Sequence, residues 1–218
     1  MSYIAERRQE EKDRRRIEIV EAAEDLYREL GWDAVTMESV AKRARLSRAL
    51  VYVYFKDKRD LHFAIAQRAM ETLRSRFDEA SSRSKLGLEK IEAIGRAYMA
   101  YGQEFPHYFD ACARLELHAA DSAEATEQER MCIEAGQRVH DAVVAALEAG
   151  QRDGTIRDDI GDLVTTSRAL WGFTHGLTQI AITKGQPLAQ QGISVPQLIQ
   201  HALSLIHYML RGSKAKSG

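Results

Sequence analysis

Seven residues between Thr36 and Arg59 carry positive charge: Lys42, Arg43, Arg45, Arg48, Lys56, Lys58 and Arg59. Only Glu38 and Asp57 oppose them, so the window stands at +5 while the whole chain stands at −1, leaving −6 on the rest. A cationic patch on an otherwise anionic chain is what contact with a phosphate backbone requires. Spacing sharpens this. Val51 and Phe55 lie four apart and share one face of a short helix, turned inward with Val40, Ala44 and Leu46. Arg48, Ala49 and Tyr52 then point outward, with Leu50, Val53 and Tyr54 at the edges. A helix fits the major groove of duplex DNA, where Arg can donate two hydrogen bonds to guanine and a small apolar side chain can touch the thymine methyl. The hydroxyls of Thr36, Ser47, Tyr52 and Tyr54 and the ammonium of Lys58 suit phosphate oxygens.

Other chemistries are poorly served. The seven histidines are scattered, and no His-x-x-x-His, Glu-x-x-His or Gly-rich phosphate loop occurs, so no metal, cofactor or catalytic residue is expected. Glu116 and His118, two apart, diverge on a helix, and His118 with Asp121 reads as a surface pair. Two cysteines, Cys112 and Cys132, rule out a disulfide framework and a four-thiolate zinc site. An enzyme without a recognisable motif, or a helical module that offers the basic segment to an acidic protein, are the competing classes.

The elements that must position the basic segment read as helices. Of 218 residues 44% are apolar and 29% charged, an ordinary globular balance. There are three prolines and none before Pro106, which favours uninterrupted helix. Residues 1 to about 12 read as a flexible charged arm. Ile17, Val20, Ala23, Leu26, Tyr27 and Leu30 predict a helix that ends at Gly31. Thr36, Ser47 and Asp57 are N-caps for helices over about 37–44, 47–55 and 57–83. Coarser helical segments follow near 87–105, 107–119, 122–151, 159–184 and 195–211, about nine helices in all and no strand. No apolar run reaches the roughly 20 residues that span a bilayer, so no membrane partner is expected. The N-terminal stretch lacks a signal-peptide core, and a cytoplasmic location is the expectation.

The segment TMESVAKRARLSRALVYVYFKDKRDL resembles the DNA-binding part of the TetR family of transcriptional regulators. The resemblance runs over roughly residues 13–73, an N-terminal helix-turn-helix domain, and assigns residues 74–212 to a helical ligand-binding and dimerisation domain. It implies DNA contacts at Thr36, Ser47, Arg48, Tyr52, Tyr54 and Lys58, with Arg48, Ala49, Leu50 and Val53 nearest the bases. There are departures: Arg45 and Ala49 stand where the family commonly has Gly, Leu50 where it has Thr, and Val53 where an aromatic is frequent.

The resemblance also implies a homodimer, a palindromic operator, and a repressor released by a small-molecule effector. Leu163, Leu170, Phe173, Leu177, Ile180 and Ala181, with Leu198, Ala202, Leu205, Ile206 and Met209, form two apolar stripes that would serve either a dimer bundle or an internal core. Gly172 and Gly176 would let helices approach closely. Candidate pocket residues are Tyr98, Tyr101, Phe105, Phe109, Cys112, Leu115, His140, Trp171 and His175, each of which also reads as plain core. Tyr and His tips among apolar residues would supply the few oriented polar groups that a small-molecule site uses.

Overall fold

The computed structural model of the chain describes residues 3–115 and 124–212. These contain ten α-helices and one 3-10 turn, with no β-structure beyond an isolated bridge between Ile156 and Arg211. The helices are α1 (Tyr3–Leu30), α2 (Met37–Arg43), α3 (Arg48–Tyr54), α4 (Lys58–Ser82), α5 (Gly87–Glu104), α6 (Pro106–Ala113), α7 (Glu127–Asp153), α8 (Leu163–Thr183), α9 (Gly185–Gln190) and α10 (Val195–Leu210). The all-α class is as expected. The helix beyond the expected nine is α9, a short element whose Pro187 falls in its first turn, where the missing N–H is harmless. The sequence pair His118 and Asp121, and Glu116, lie outside the described residues.

The N-terminal arm departs from expectation. Residues 3–12 are helical and continue without a break into the rest of α1. No apolar contact is needed, because side-chain pairs along the helix support it. Arg14 pairs with Glu11 and Glu18, Arg15 pairs with the same two carboxylates, and Gln9 donates to Asp13 at 2.8 Å.

The chain divides into two compact units: residues 1–69 with 107–134, and residues 70–106 with 135–218. Helix α4 passes from the first into the second after Ala69, and α7 does so after Glu134. In the first unit, Ile19, Ala23, Val40, Val51, Phe55, Leu61 and Ile65 form the dry centre. Ile17 and Leu30 of the predicted stripe stay exposed, and Ile19 and Ala22 take the inward places. Helix α6 is tied to α1 by two tyrosines. The Tyr27 hydroxyl donates to Asp110 at 2.8 Å, and the Tyr108 hydroxyl donates to Glu24 at 3.0 Å. Burial raises the Glu24 carboxyl above the ordinary range, and Arg68 at 3.4 Å opposes that rise.

In the second unit, α5, α8 and α10 meet around Met99, Ala202 and Leu203, with Phe173, Leu177 and Ile199 against them. The two stripes therefore supply an internal core with part of their residues. Ile180, Leu205 and Met209 remain 41%, 40% and 50% exposed. Gly87 and Gly150 allow α5 and α7 to touch backbone to backbone: a Cβ on Gly87 would lie 2.0 Å from the Gly150 nitrogen.

Candidate nucleic-acid interface

Two short helices and the turn between them build the site. Thr36 opens α2 with a reciprocal cap: its hydroxyl accepts from the Ser39 N–H at 3.0 Å, and the Ser39 hydroxyl oxygen accepts from the Thr36 N–H at 3.0 Å. Arg45 closes α2 with φ at 56°, among the described residues the one non-glycine in the left-handed region. The Arg45 N–H bonds the Lys42 carbonyl at 3.2 Å and the Leu46 N–H bonds the Ala41 carbonyl at 2.9 Å, the bond pair of a Schellman cap. This explains why a Gly suits position 45. Ser47 then caps α3 by accepting from the Leu50 N–H at 3.2 Å.

Helix α3 has two distinct sides. Val51 and Phe55 are buried, at 0% and 1% exposure. Arg48, Ala49, Tyr52 and Val53 face solvent, Val53 at 75%, and Leu50 and Tyr54 are half-buried at the edges. The Arg48 guanidinium lies over the Tyr52 ring, 5.5 Å from its centroid, so the two present one cationic and aromatic surface.

The seven cations of the segment divide by partner. Arg43 forms a two-point pair with Glu29, at 3.0 and 2.6 Å. Arg59 pairs with Glu129 at 3.8 Å. The Lys58 ammonium donates to the Trp32 carbonyl at 2.7 Å and sits 4.7 Å from that ring's centroid. Burial lowers the Lys58 pKa below its ordinary value. Lys42, Arg45, Arg48 and Lys56 are exposed and carry no ion pair among the described residues. An exposed α3 face that carries Arg48, with Arg45 and Lys56 in the turns at its two ends, can neutralise phosphates and place donors against base edges.

Beneath Lys58, His62 stacks on Trp32 with centroids 4.6 Å apart. Burial pushes the His62 pKa down to about 4, and its Nε2 has no hydrogen-bond partner among the described residues. The imidazole is therefore neutral at ordinary pH and fastens the Trp32 turn to α4 as an aromatic plate.

With this geometry in place, the sequence matches the family model described as bacterial regulatory proteins, tetR family, over residues 19–65. It also matches the model described as tetracyclin repressor-like, C-terminal domain, over residues 91–203, more than half of the chain. The chain belongs to the TetR family of transcriptional regulators. Among relatives of this TetR-family chain, the transcriptional repressor NicS of Pseudomonas putida is 26% identical over 157 residues, 70% of this chain and 71% of NicS. The regulator HbdR of an Aromatoleum species is 31% identical over 90 residues, 41% of this chain and 38% of HbdR. The fold agrees with solved structures of low identity. A protein of unknown function from Rhodococcus sp. RHA1 superposes with a TM-score of 0.73 at 19% identity, covering 90% of this chain and 95% of that one. The regulator FadR of Bacillus subtilis, solved with stearoyl-CoA, gives 0.65 at 17% identity, covering 87% and 96%.

Of the residues that the family resemblance marks for a ligand pocket, six fall in the second unit and three in the first. Tyr98, His140, Trp171 and His175 form one connected group. The Tyr98 hydroxyl meets His175 Nδ1 at 2.8 Å, Trp171 lies 5.4 Å from the His175 ring and 5.8 Å from that of His140, and His140 Nδ1 is 3.4 Å from the Ser167 hydroxyl. Burial lowers His140 to about 4 and lowers His175 as well. The Tyr101 and Phe105 rings meet at a tilt, with centroids 5.3 Å apart. Phe109, Cys112 and Leu115 belong to the first unit, where Leu115 packs on Phe63, Ala66 and Cys132. Burial raises both thiols, Cys132 to about 12, so neither is poised as a nucleophile.

The sequence shows Lys42, Arg45 and Lys56 as charge, but that they stay exposed is visible only in the fold. The stack of Trp32 with His62 and Lys58 is likewise visible only there. The one signal of it in the sequence is that Lys58 and His62 are four apart and therefore share a helix face.

Proposed function

We propose that this regulator is a homodimeric repressor that sets α3 of each protomer into the major groove of a pseudo-palindromic operator and lets go when a small molecule binds its second unit. The exposed outer face of α3, with its buried inner face, carries the reading. Arg48, Ala49, Leu50 and Val53 address base edges. Thr36, Ser47, Tyr52 and Tyr54 address phosphates, and Lys58, already bonded to the Trp32 carbonyl, has donors left for one more. Residues 13–73 carry the DNA-binding work and residues 74–212 the ligand and dimer work.

The dimer face is the outward side of α8 and α10. Ile180, Leu205, Tyr208 and Met209 expose apolar surface there, and a Cβ at Gly172 or Gly176 would meet nothing within 4 Å of this chain. Those glycines therefore leave room for a second copy's helix. The effector lies against the Tyr98, His140, Trp171 and His175 group, which offers neutral hydrogen-bonding tips on aromatic walls. The repressing sign has a precedent in NicS, a repressor, and a small-molecule effector has one in FadR, a protein of the same fold that was solved with stearoyl-CoA. Helices α4 and α7 give the two units a covalent connection through which a ligand can bias DNA binding. A typical coupling of about 1–3 kcal/mol changes operator affinity roughly 5- to 150-fold. Among the described residues no helix is long and apolar enough to cross a membrane, and a cytoplasmic site of action fits a DNA partner.

The experiment is enrichment of duplexes from a random-sequence pool on the purified full chain. An enriched inverted repeat whose half-sites are one helical turn apart, about 34–36 Å, supports the reading. Enrichment of no sequence at any salt concentration overturns it.

A further inference from the structure

Helix α1 is longer than its core requires, and the excess is charged in an ordered way. Residues 5–14 are helical and exposed at every position. Arg8, Lys12 and Arg15 are spaced four and three apart, and the same spacing continues into Ile19, Ala22, Ala23 and Leu26, the residues that α1 buries in the first unit. At about 3.6 residues per turn these positions form one line along the helix. Glu6, Glu10 and Asp13 form a second line on the opposite side, with Arg7, Glu11 and Arg14 on the flank between the two lines. The helix thus carries Arg8 and Lys12 on the side that faces its own DNA-reading unit and a row of acids on the side that faces away.

Helix α1 passes the end of α3 at Arg16, next in sequence to Arg15 of the stripe. The Arg16 guanidinium lies 5.0 Å from the ring centroid of Phe55, the residue that closes α3. From there to Arg8 the helix rises about 12 Å. Arg15 is held by Glu11 and Glu18, whereas Arg8 and Lys12 carry no ion pair among the described residues. Two cations without an internal acid, on the line that continues the buried face of α1, suit a polyanion.

We propose that the N-terminal extension of α1 is a second DNA-contacting element, in which Arg8 and Lys12 bind backbone phosphates flanking the site read by α3. The occupant is duplex DNA, by charge complementarity and by continuity with the α3 face. Contacts of Arg8 and Lys12 with phosphates carry no sequence information, and the base edges are left to α3. This role of α1 rests on the DNA-binding reading above, and its test separates the two.

The probes are one enriched duplex in two lengths: the inverted repeat cut at the outer ends of its half-sites, and the same repeat with ten flanking base pairs on each side. The full chain and its Arg8→Gln/Lys12→Gln variant are titrated on both across a salt series. On the long duplex the variant should bind more weakly, and its slope of log affinity against log salt should be shallower by about 0.9 for each phosphate left unneutralised. On the short duplex the two proteins should match. A Glu6→Gln/Glu10→Gln variant, altered on the opposite face, should bind both probes at least as tightly as wild type. Equal slopes for the wild type and the Arg8→Gln/Lys12→Gln variant on the long duplex overturn the extension's role, and so does an equal weakening on both lengths. An Arg48→Ala control reports on α3 alone, since it should weaken binding to the same degree on both lengths. If the wild type binds neither duplex, the DNA reading itself fails and the extension falls with it.

Discussion

Tyr27 and Asp110 are 83 positions apart in sequence and 2.8 Å apart in space, the tyrosine hydroxyl donating to the carboxylate. Asp110 also accepts from Arg114 at 2.8 Å, and both burial and the Asp110 bond hold the Tyr27 phenol above its ordinary pKa. This bond fixes α6, an element distant in the chain, to the helix that carries the DNA-reading unit. Tyr27→Phe should therefore lower stability by about 1.5–3 kcal/mol, the range for a hydrogen bond to a charged group. Urea denaturation checks it, and a change below about 0.5 kcal/mol would show that the pair contributes nothing to holding α6.

Arg45 offers an opposite case, in which a substitution should stabilise. A left-handed conformation costs a residue with a Cβ about 1–2 kcal/mol, which Gly avoids while gaining some freedom in the unfolded chain. Arg45→Gly should raise stability by up to about 1 kcal/mol in thermal melting. The same variant should bind duplex DNA more weakly, because Arg45 is an exposed cation in the turn that leads into α3. A protein that gains stability and keeps full affinity would remove Arg45 from the interface.

His62 predicts a pH dependence with a definite sign. Its pKa is about 4 when folded, against an ordinary 6.5, because burial disfavours the imidazolium; Lys58 and Arg114 add to this while Asp110 and the Ala111 carbonyl oppose it. The unfolded chain thus binds the extra proton first as pH falls. Stability should drop between about pH 6.5 and pH 4, by up to about 3 kcal/mol from this residue. His140, also lowered to about 4, acts in the same direction. Melting of wild type and His62→Phe between about pH 7 and pH 4.5 should give a shallower dependence for the variant. Parallel curves would mean that His62 takes up its proton without penalty.

The outward side of α10 is predicted to be a subunit seam. Leu205→Arg places a charge where Leu205 is 40% exposed, so the isolated chain tolerates it. Sedimentation should give a monomer with unchanged helix content. A dimer of undiminished affinity would move the seam elsewhere.

Much of this architecture is readable in the residues. The caps Thr36, Ser47 and Asp57, and the inward pair Val51 and Phe55, are local signals that tertiary context did not override. Two things were not readable. The N-terminal arm lacks apolar periodicity, and its helicity depends on pairs such as Arg15 with Glu18 at 2.8 Å, whose support is invisible to a search for buried faces. The partition of Arg43, Lys58 and Arg59 into internal pairs depends on Glu29, the Trp32 carbonyl and Glu129, partners that only the fold brings near. The charge count was therefore a fair guide to the presence of the patch and a poor guide to which cations are available.

The decisive measurement is fluorescence anisotropy with an enriched duplex, comparing wild type, Arg48→Ala and Tyr52→Phe at one salt concentration. With Arg48 against a base edge, Arg48→Ala should weaken binding by about 1–3 kcal/mol, and Tyr52→Phe should weaken it by less. Binding of both variants within about twofold of wild type would contradict the assignment of the outer face of α3 as the surface that meets DNA.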